Sequence, residues 1–312
     1  MSQLTIFLLA VALVFVALVF LARRALARRH WALRVAGGIG LLVLSAVLVT
    51  FVESERVRRV RYDPPQQPLV IPDDSASLAR GAHLVTVLGC PSCHGENLGG
   101  KVLFDQPGVA TLIAPNLTTG PGGRGGEYSD AELARTLRYG IRRNGQALFA
   151  MPTPEFHSLA DQDLAAVIAR VRRMPPVAST LPETHIGVLG RIGIATGKYR
   201  PTRELLPRAA PRPQVPPSGV MVEHGRYLAH AICAECHGSE SGVAPVPAGQ
   251  PPRMDVLGGY ELPALVRALR EGIAQDGRRL GPLMRPDRVG QLTDEEVAAL
   301  QLYFRSRLAG RA

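Results

Sequence analysis

The chain has no cysteine to spare. All four stand in two short pairs, Cys90 with Cys93 and Cys233 with Cys236, so none is left for a structural disulfide. Acids are nearly missing from the N-terminal region: residues 1 to 61 hold nine Arg against Glu53 and Glu55, whereas residues 62 to 312 carry 27 basic and 24 acidic groups. The formal charge of +10 is therefore not a basic stripe on a folded domain, and no nucleic-acid partner is expected. A Ser/His/Asp constellation, a phosphate loop and a carboxylate pair are also lacking, so no catalytic residues are named.

What the N-terminal region does have is apolar length. Leu4 to Ala22 is an uninterrupted run of 19 residues, about 28 Å as a helix and long enough to cross a bilayer core. Met1-Ser2-Gln3 offers no basic n-region, which favours a retained anchor over a cleaved signal. A second run, Val35 to Val52, is broken only by Gly37, Gly38, Gly40, Ser45 and Thr50. The turn between the runs holds Arg23, Arg24, Arg28, Arg29 and Arg34 and no acid, which puts it on the cytoplasmic side and everything after Val52 outside. The expected layout is a membrane anchor over 1–61 with helices at about 4–22 and 35–52, then a Pro-rich tether over 62–74.

Each cysteine pair is followed at once by His and Gly: Cys90-Pro91-Ser92-Cys93-His94-Gly95 and Cys233-Ala234-Glu235-Cys236-His237-Gly238. Two thiols three positions apart can each form a thioether with one haem vinyl group, and the next residue then presents an imidazole to the iron. Two zinc half-sites would lie roughly 12 to 20 residues apart and leave each His without a role. A thioredoxin-like redox pair would sit in a βαβ pattern that the flanks do not show. The expected cofactors are two covalently attached haem c groups, bound through Cys90, Cys93, Cys233 and Cys236 and ligated by His94 and His237.

The flanks repeat as well. Gly81 and Gly225 lie on the helical segments leading into the pairs, where Gly marks close helix contact; the second segment is one residue shorter. Asn97 to Gly126 reads as a long loop. Ser129-Asp130-Ala131-Glu132 and Thr293-Asp294-Glu295-Glu296 are capping boxes opening helices, and Ser158 to Arg173 is a further helix. Gly140-Ile141-Arg142-Arg143-Asn144-Gly145 aligns with Gly272-Ile273-Ala274-Gln275-Asp276-Gly277, and Met151 then aligns with Met284. These two Met, 57 and 47 residues after their His, are the expected sixth iron ligands. His157 is read as a surface or loop residue, and His83, His185, His224 and His230 as ordinary polar residues. Nine prolines in residues 174–220 mark a connector. The domains are thus expected at 75–175 and 221–309, joined by a linker over 176–220, as separate units of one duplicated fold.

With CPSCHG, IAPNLT, EYSDAELARTLRYGIRRNGQALFAMP and LADQDLAAVIARVRRMPP, the chain resembles class I c-type cytochromes, and among them the cytochrome c subunits of membrane-bound bacterial alcohol and aldehyde dehydrogenases. The resemblance implies an all-α fold class, here two tandem cytochrome c domains behind an N-terminal transmembrane helical hairpin. It implies Met151 and Met284 as distal ligands, and Pro115 as a carbonyl holding the haem His. The expected function is single-electron transfer between a dehydrogenase or quinol-oxidising partner and a respiratory acceptor, at the bacterial cytoplasmic membrane with the haem domains facing the periplasm or cell exterior. The alternatives are a dihaem subunit of a haem-copper terminal oxidase, or a dihaem redox enzyme with one open iron. Those dehydrogenase subunits usually carry three haem motifs and a cleaved signal; this chain has two motifs and an apparent hairpin.

Overall fold

The computed structural model describes residues 13–20, 23–24, 31–64, 68–206, 213–238, 254, 256–281 and 284–309. After a helical stretch at 13–20, the helices are α1 (Trp31–Arg59), α2 (Ser75–Val87), α3 (Cys90–His94), α4 (Asp130–Tyr139), α5 (Thr153–His157), α6 (Asp161–Arg172) and α7 (Val188–Ala195). They continue with α8 (Val222–Leu228), α9 (Ala234–His237), α10 (Leu262–Glu271), α11 (Pro286–Val289) and α12 (Asp294–Ala309). Three short strands, β1 (Lys101–Gln106), β2 (Ala110–Ala114) and β3 (His185–Ile186), pair in the order β1-β2-β3. The molecule is mostly helical, but this sheet departs from an all-α chain. β1 is exposed along its whole length, so no in-out alternation distinguished it from the loop expected there.

The chain divides into two compact units. One joins the N-terminal residues through Val60 to Pro107–Ala110 and Ile186–Arg200. Within it α1 provides, over Arg34–Arg59, a helix of 26 residues whose apolar 18-residue stretch has mean hydropathy 2.5, long and apolar enough to cross a bilayer. The first expected span lies largely outside the described residues, but Leu18 sits against α1 at Gly40, its Cδ2 3.4 Å from where a Cβ would stand. Near the other end of α1, Arg191 of α7 lies 4.2 Å over the Phe51 ring and donates to Ser54 Oγ at 3.0 Å and Glu55 Oε1 at 2.8 Å. Part of the proline-rich connector is therefore ordered helix, a long-range placement that proline counting does not reveal.

The other unit comprises Arg61–Gln106, Thr111–His185 and Pro201–Ala312. Two helix pairs organise it, α2 with α6 and α8 with α12. Both cross at a glycine. A Cβ on Gly81 would overlap the Ala166 carbonyl oxygen, and one on Gly225 would overlap that of Ala299. Leu84, Val87, Leu98, Phe156 and Val167 from the first pair's half and Tyr227, Leu228, Leu265, Leu300 and Phe304 from the second share one buried core. The two halves, expected as separate units, are fused.

Polar groups tie them reciprocally. His83, two residues after Gly81, places Nε2 at 3.0 and 2.9 Å from the two Glu296 carboxylate oxygens. Tyr227, two residues after Gly225, donates its hydroxyl to Asp163 Oδ2 at 2.8 Å. Asp163 and Glu296 each stand three residues before the alanine at their crossing. Each half thus reaches the other's equivalent carboxylate, as in a two-fold interface. Arg80 adds a fork to Asp163, 3.0 Å on both arms, and reaches Glu296 Oε1 at 3.1 Å.

The final helices of the halves start differently. At α12 the Thr293 hydroxyl accepts from Glu296 N and the Glu296 carboxylate accepts from Thr293 N, at 3.2 and 3.0 Å, the expected capping box. At α6 the corresponding residue is Ala160, which has no side-chain acceptor, and its N–H donates to the Tyr227 hydroxyl at 3.0 Å. The expected box at α4 is also present, between Ser129 and Glu132.

Candidate functional site

The first cysteine pair sits on α3, the single turn Cys90–His94. Gly89, at φ 78° and ψ 25°, ends the preceding helix in the left-handed region and lets a new turn start. Pro91 near the start of that turn fixes φ where no intrahelical N–H partner is needed. Both Cys90 and Cys93 are half-buried, and among the described residues, which include all four cysteines, there is no disulfide.

His94 is aimed by its loop. Its Nδ1 lies 2.8 Å from the Pro115 carbonyl, so Nδ1 carries the donated proton and Nε2 keeps the lone pair. Burial holds the imidazole below its usual pKa, the Pro115 bond opposing this, and so favours the neutral ring that can ligate a metal. The carbonyl is itself held in place. Asn116 donates to Val177 O at 2.7 Å and accepts from Thr118 N at 2.8 Å, while Leu117 N donates to Leu98 O at 2.8 Å. These contacts give the Pro115-Asn116-Leu117-Thr118 sequence its reason: a carbonyl for the His followed by a staple.

The second pair is reached without a break. α8 runs on through a wide, i to i+5 bonded turn at Ala229–Cys233 into α9, Ala234–His237. Both turns then leave through the same backbone conformation, Gly95 at φ 81°, ψ 156° and Gly238 at φ 78°, ψ 156°. Cys233 is half-buried and Cys236 exposed. Residues 239–253, which follow His237, lie outside the described residues. Burial pushes the Cys90 thiol up to about 11 and that of Cys233 up to about 12, with the Arg288 guanidinium pulling both back down.

Met151 and Met284 are half-buried, and both pack against the core that Cys90 and Cys233 also touch. The loops leading to them repeat bond for bond. Arg142 N donates to Gln146 O and Ala274 N to Arg278 O, each at 2.8 Å. Leu148 N reaches Gly140 O at 2.7 Å and Leu280 N reaches Gly272 O at 2.8 Å. Arg135 and Arg267 clasp the same carbonyls of the two turns, Arg142 and Arg143 in one, Ala274 and Gln275 in the other.

The residues present fit a haem of the c type at the first motif: two cysteines on one turn outside any disulfide, an oriented neutral imidazole, and a soft thioether on the same core. Among the described residues, His, Cys, Asp and Glu do not gather in threes or more. His157, expected at the surface, is instead buried with Nδ1 2.9 Å from Arg138 O. Arg288 and Tyr227 were not singled out from sequence, and Glu296 only as the end of a capping box, since contacts across so many residues leave no periodic signal.

Residues 78–174 match the family model for cytochrome c. The chain is 24% identical over 298 residues to the fructose dehydrogenase cytochrome subunit of Gluconobacter japonicus, covering 84% of this chain and 59% of that one. It is 29% identical over 172 residues to the cytochrome c subunit of the quinone alcohol dehydrogenase of Gluconobacter oxydans, covering 53% and 35%. With the gluconate 2-dehydrogenase cytochrome c subunit of Pantoea cypripedii it shares 27% over 180 residues, covering 53% and 39%. The chain therefore spans 59% or less of the length of these relatives. Residues 78–174 are thus similar to cytochrome c domains, whose family carries covalently bound haem c, and the chain as a whole is similar to cytochrome subunits of bacterial dehydrogenases.

Proposed function

We propose that the protein is a membrane-anchored cytochrome with two haem c groups that takes electrons one at a time from a dehydrogenase catalytic subunit and hands them to a respiratory acceptor. The observation that carries this reading is the repetition in the second half of three first-half features: a glycine helix crossing, a CxxCH turn with the same exit backbone, and the same clasped loop before a methionine. Each haem would supply reversible iron oxidation and reduction. The chain would hold them through Cys90, Cys93, Cys233 and Cys236, through His94 and His237, and through Met151 and Met284 as distal ligands that close the iron to other molecules. The names of the relatives favour a dehydrogenase over a terminal oxidase as partner. α1, with Leu18 of the preceding helix against it, supports a hairpin anchor, and the Arg-rich turn before it would face the cytoplasm.

A second reading has one support: Met284 is followed by Arg285 where Met151 is followed by Pro152, a difference that suits a displaceable ligand and a redox enzyme with one open iron. Haem content and carbon monoxide binding separate the two. The purified protein should hold two covalent haems per chain, both low-spin, with little carbon monoxide uptake. Met151→Ala and Met284→Ala should each open one of them. One haem per chain would refute the two-haem carrier, and a high-spin site in the unmodified protein would favour the enzyme.

A further inference from the structure

We infer that Arg288 is a shared positive charge joining the two attachment turns, and that it raises the potentials of both haem sites together. The inference rests on the two-haem reading above. Arg288 projects from α11 in the second half. Its Nε donates to Val87 O at 2.8 Å and its Nη2 to Ile232 O at 3.3 Å. Val87 is the last residue of α2, three positions before Cys90, and Ile232 lies in the wide turn immediately before Cys233. Each carbonyl belongs to a place where regular helical bonding fails, a C-terminus in one case and a widened turn in the other. One planar guanidinium answers both, which a single ammonium on a flexible stem does less well.

The chain makes room for it. A Cβ at Gly89 would stand only 2.8 Å from the Arg288 Cζ, so the residue next to Cys90 is bare where the guanidinium passes. The charge acts on Cys90 and on Cys233 alike. Among the described residues Arg288 makes no ion pair, so its charge is not cancelled by a carboxylate. Arg285, the neighbouring cation on the side of Cys93, is matched by Asp287 at 2.9 Å. A fixed, half-buried positive charge disfavours the more positive ferric state, and because it binds the backbone leading into both turns it does so at both sites.

The full-length protein in detergent serves for the test, with haem content measured first and both midpoint potentials then read by spectroelectrochemical titration. Arg288→Gln should keep two low-spin haems and shift both potentials downward together. Arg288→Lys, which keeps the charge and loses the fork, should hold both near the unmodified values while lowering the unfolding temperature. A shift at one haem only, or at neither, overturns the inference, whereas one haem per chain in the unmodified protein refutes the two-haem reading instead. If Arg288→Gln gives no holoprotein, the Lys variant decides: retained potentials sustain the shared charge, and a single displaced potential overturns it.

Discussion

In the first half the chain enters its cysteine pair through a broken helix, in the second through a widened one. The first has the extra residue needed to stop at Gly89 in the left-handed region and start again; the second is one residue shorter between crossing glycine and cysteine, stays helical, and spreads the difference over Ala229–Cys233. The exits nevertheless coincide within a few degrees. What the two halves share is therefore not the approach but the crossing behind it and the exit from the turn, and the difference lies in the connecting backbone.

The sharpest way to break that comparison is at the crossings. Gly81→Ala and Gly225→Ala each force a methyl onto a carbonyl oxygen of the partner helix, and each should cost about 3 kcal/mol, the upper part of the range for overpacking. Denaturant unfolding followed by circular dichroism measures this, and the shared core predicts that either change lowers the single transition of the whole unit. A harmless Gly225→Ala would show that the second crossing is not equivalent to the first.

Next comes the reciprocal carboxylate network. Burial would raise the Glu296 pKa, but hydrogen bonds from His83 and the Thr293 N–H, with the charges of His83 and Arg80, hold it at about 2, against an ordinary value of 4.5. A carboxylate lowered on folding contributes stability that is fully present above the unfolded value and is lost as pH falls through the folded one. The unit should therefore weaken from about pH 4.5 toward pH 2. Glu296→Gln should lose on the order of 2 kcal/mol at neutral pH and flatten that acid limb. An unchanged acid limb in the variant would remove Glu296 from the interface.

The smallest expected effects concern how the final helices begin. Thr293→Ala removes a cap from its own helix, and Tyr227→Phe removes one from a helix in the other half; each should cost about 1 kcal/mol. Amide hydrogen exchange should place the first loss at the start of α12 and the second at the start of α6. Faster exchange at α12 in Tyr227→Phe would contradict the cross-half cap.

What could be read from the chain alone was whatever is local or repeated. The CxxCH turns, the capping boxes at Ser129 and Thr293, the contact role of Gly81 and the paired loops ending near Met151 and Met284 all declare themselves by residue type at short spacing. Pro115 was legible only through resemblance. β1 was missed because every side chain on it is exposed, leaving no alternation to detect. The ordered α7 was hidden among prolines, and its attachment to Phe51, Ser54 and Glu55 depends on one arginine more than 130 positions away. The union of the halves was invisible for the same reason: His83, Asp163, Tyr227 and Glu296 meet only after the chain has folded back on itself.

The cap on α6 also orders events in time. Ala160 is synthesised before the hydroxyl that accepts its N–H, which arrives 67 residues later on Tyr227. A chain emerging from its N-terminus folds that end first, yet this N–H has only water to bond until the second half has followed and packed. The start of α6 thus depends on a residue made after it, and a product truncated between the halves should begin that helix without its Tyr227 acceptor.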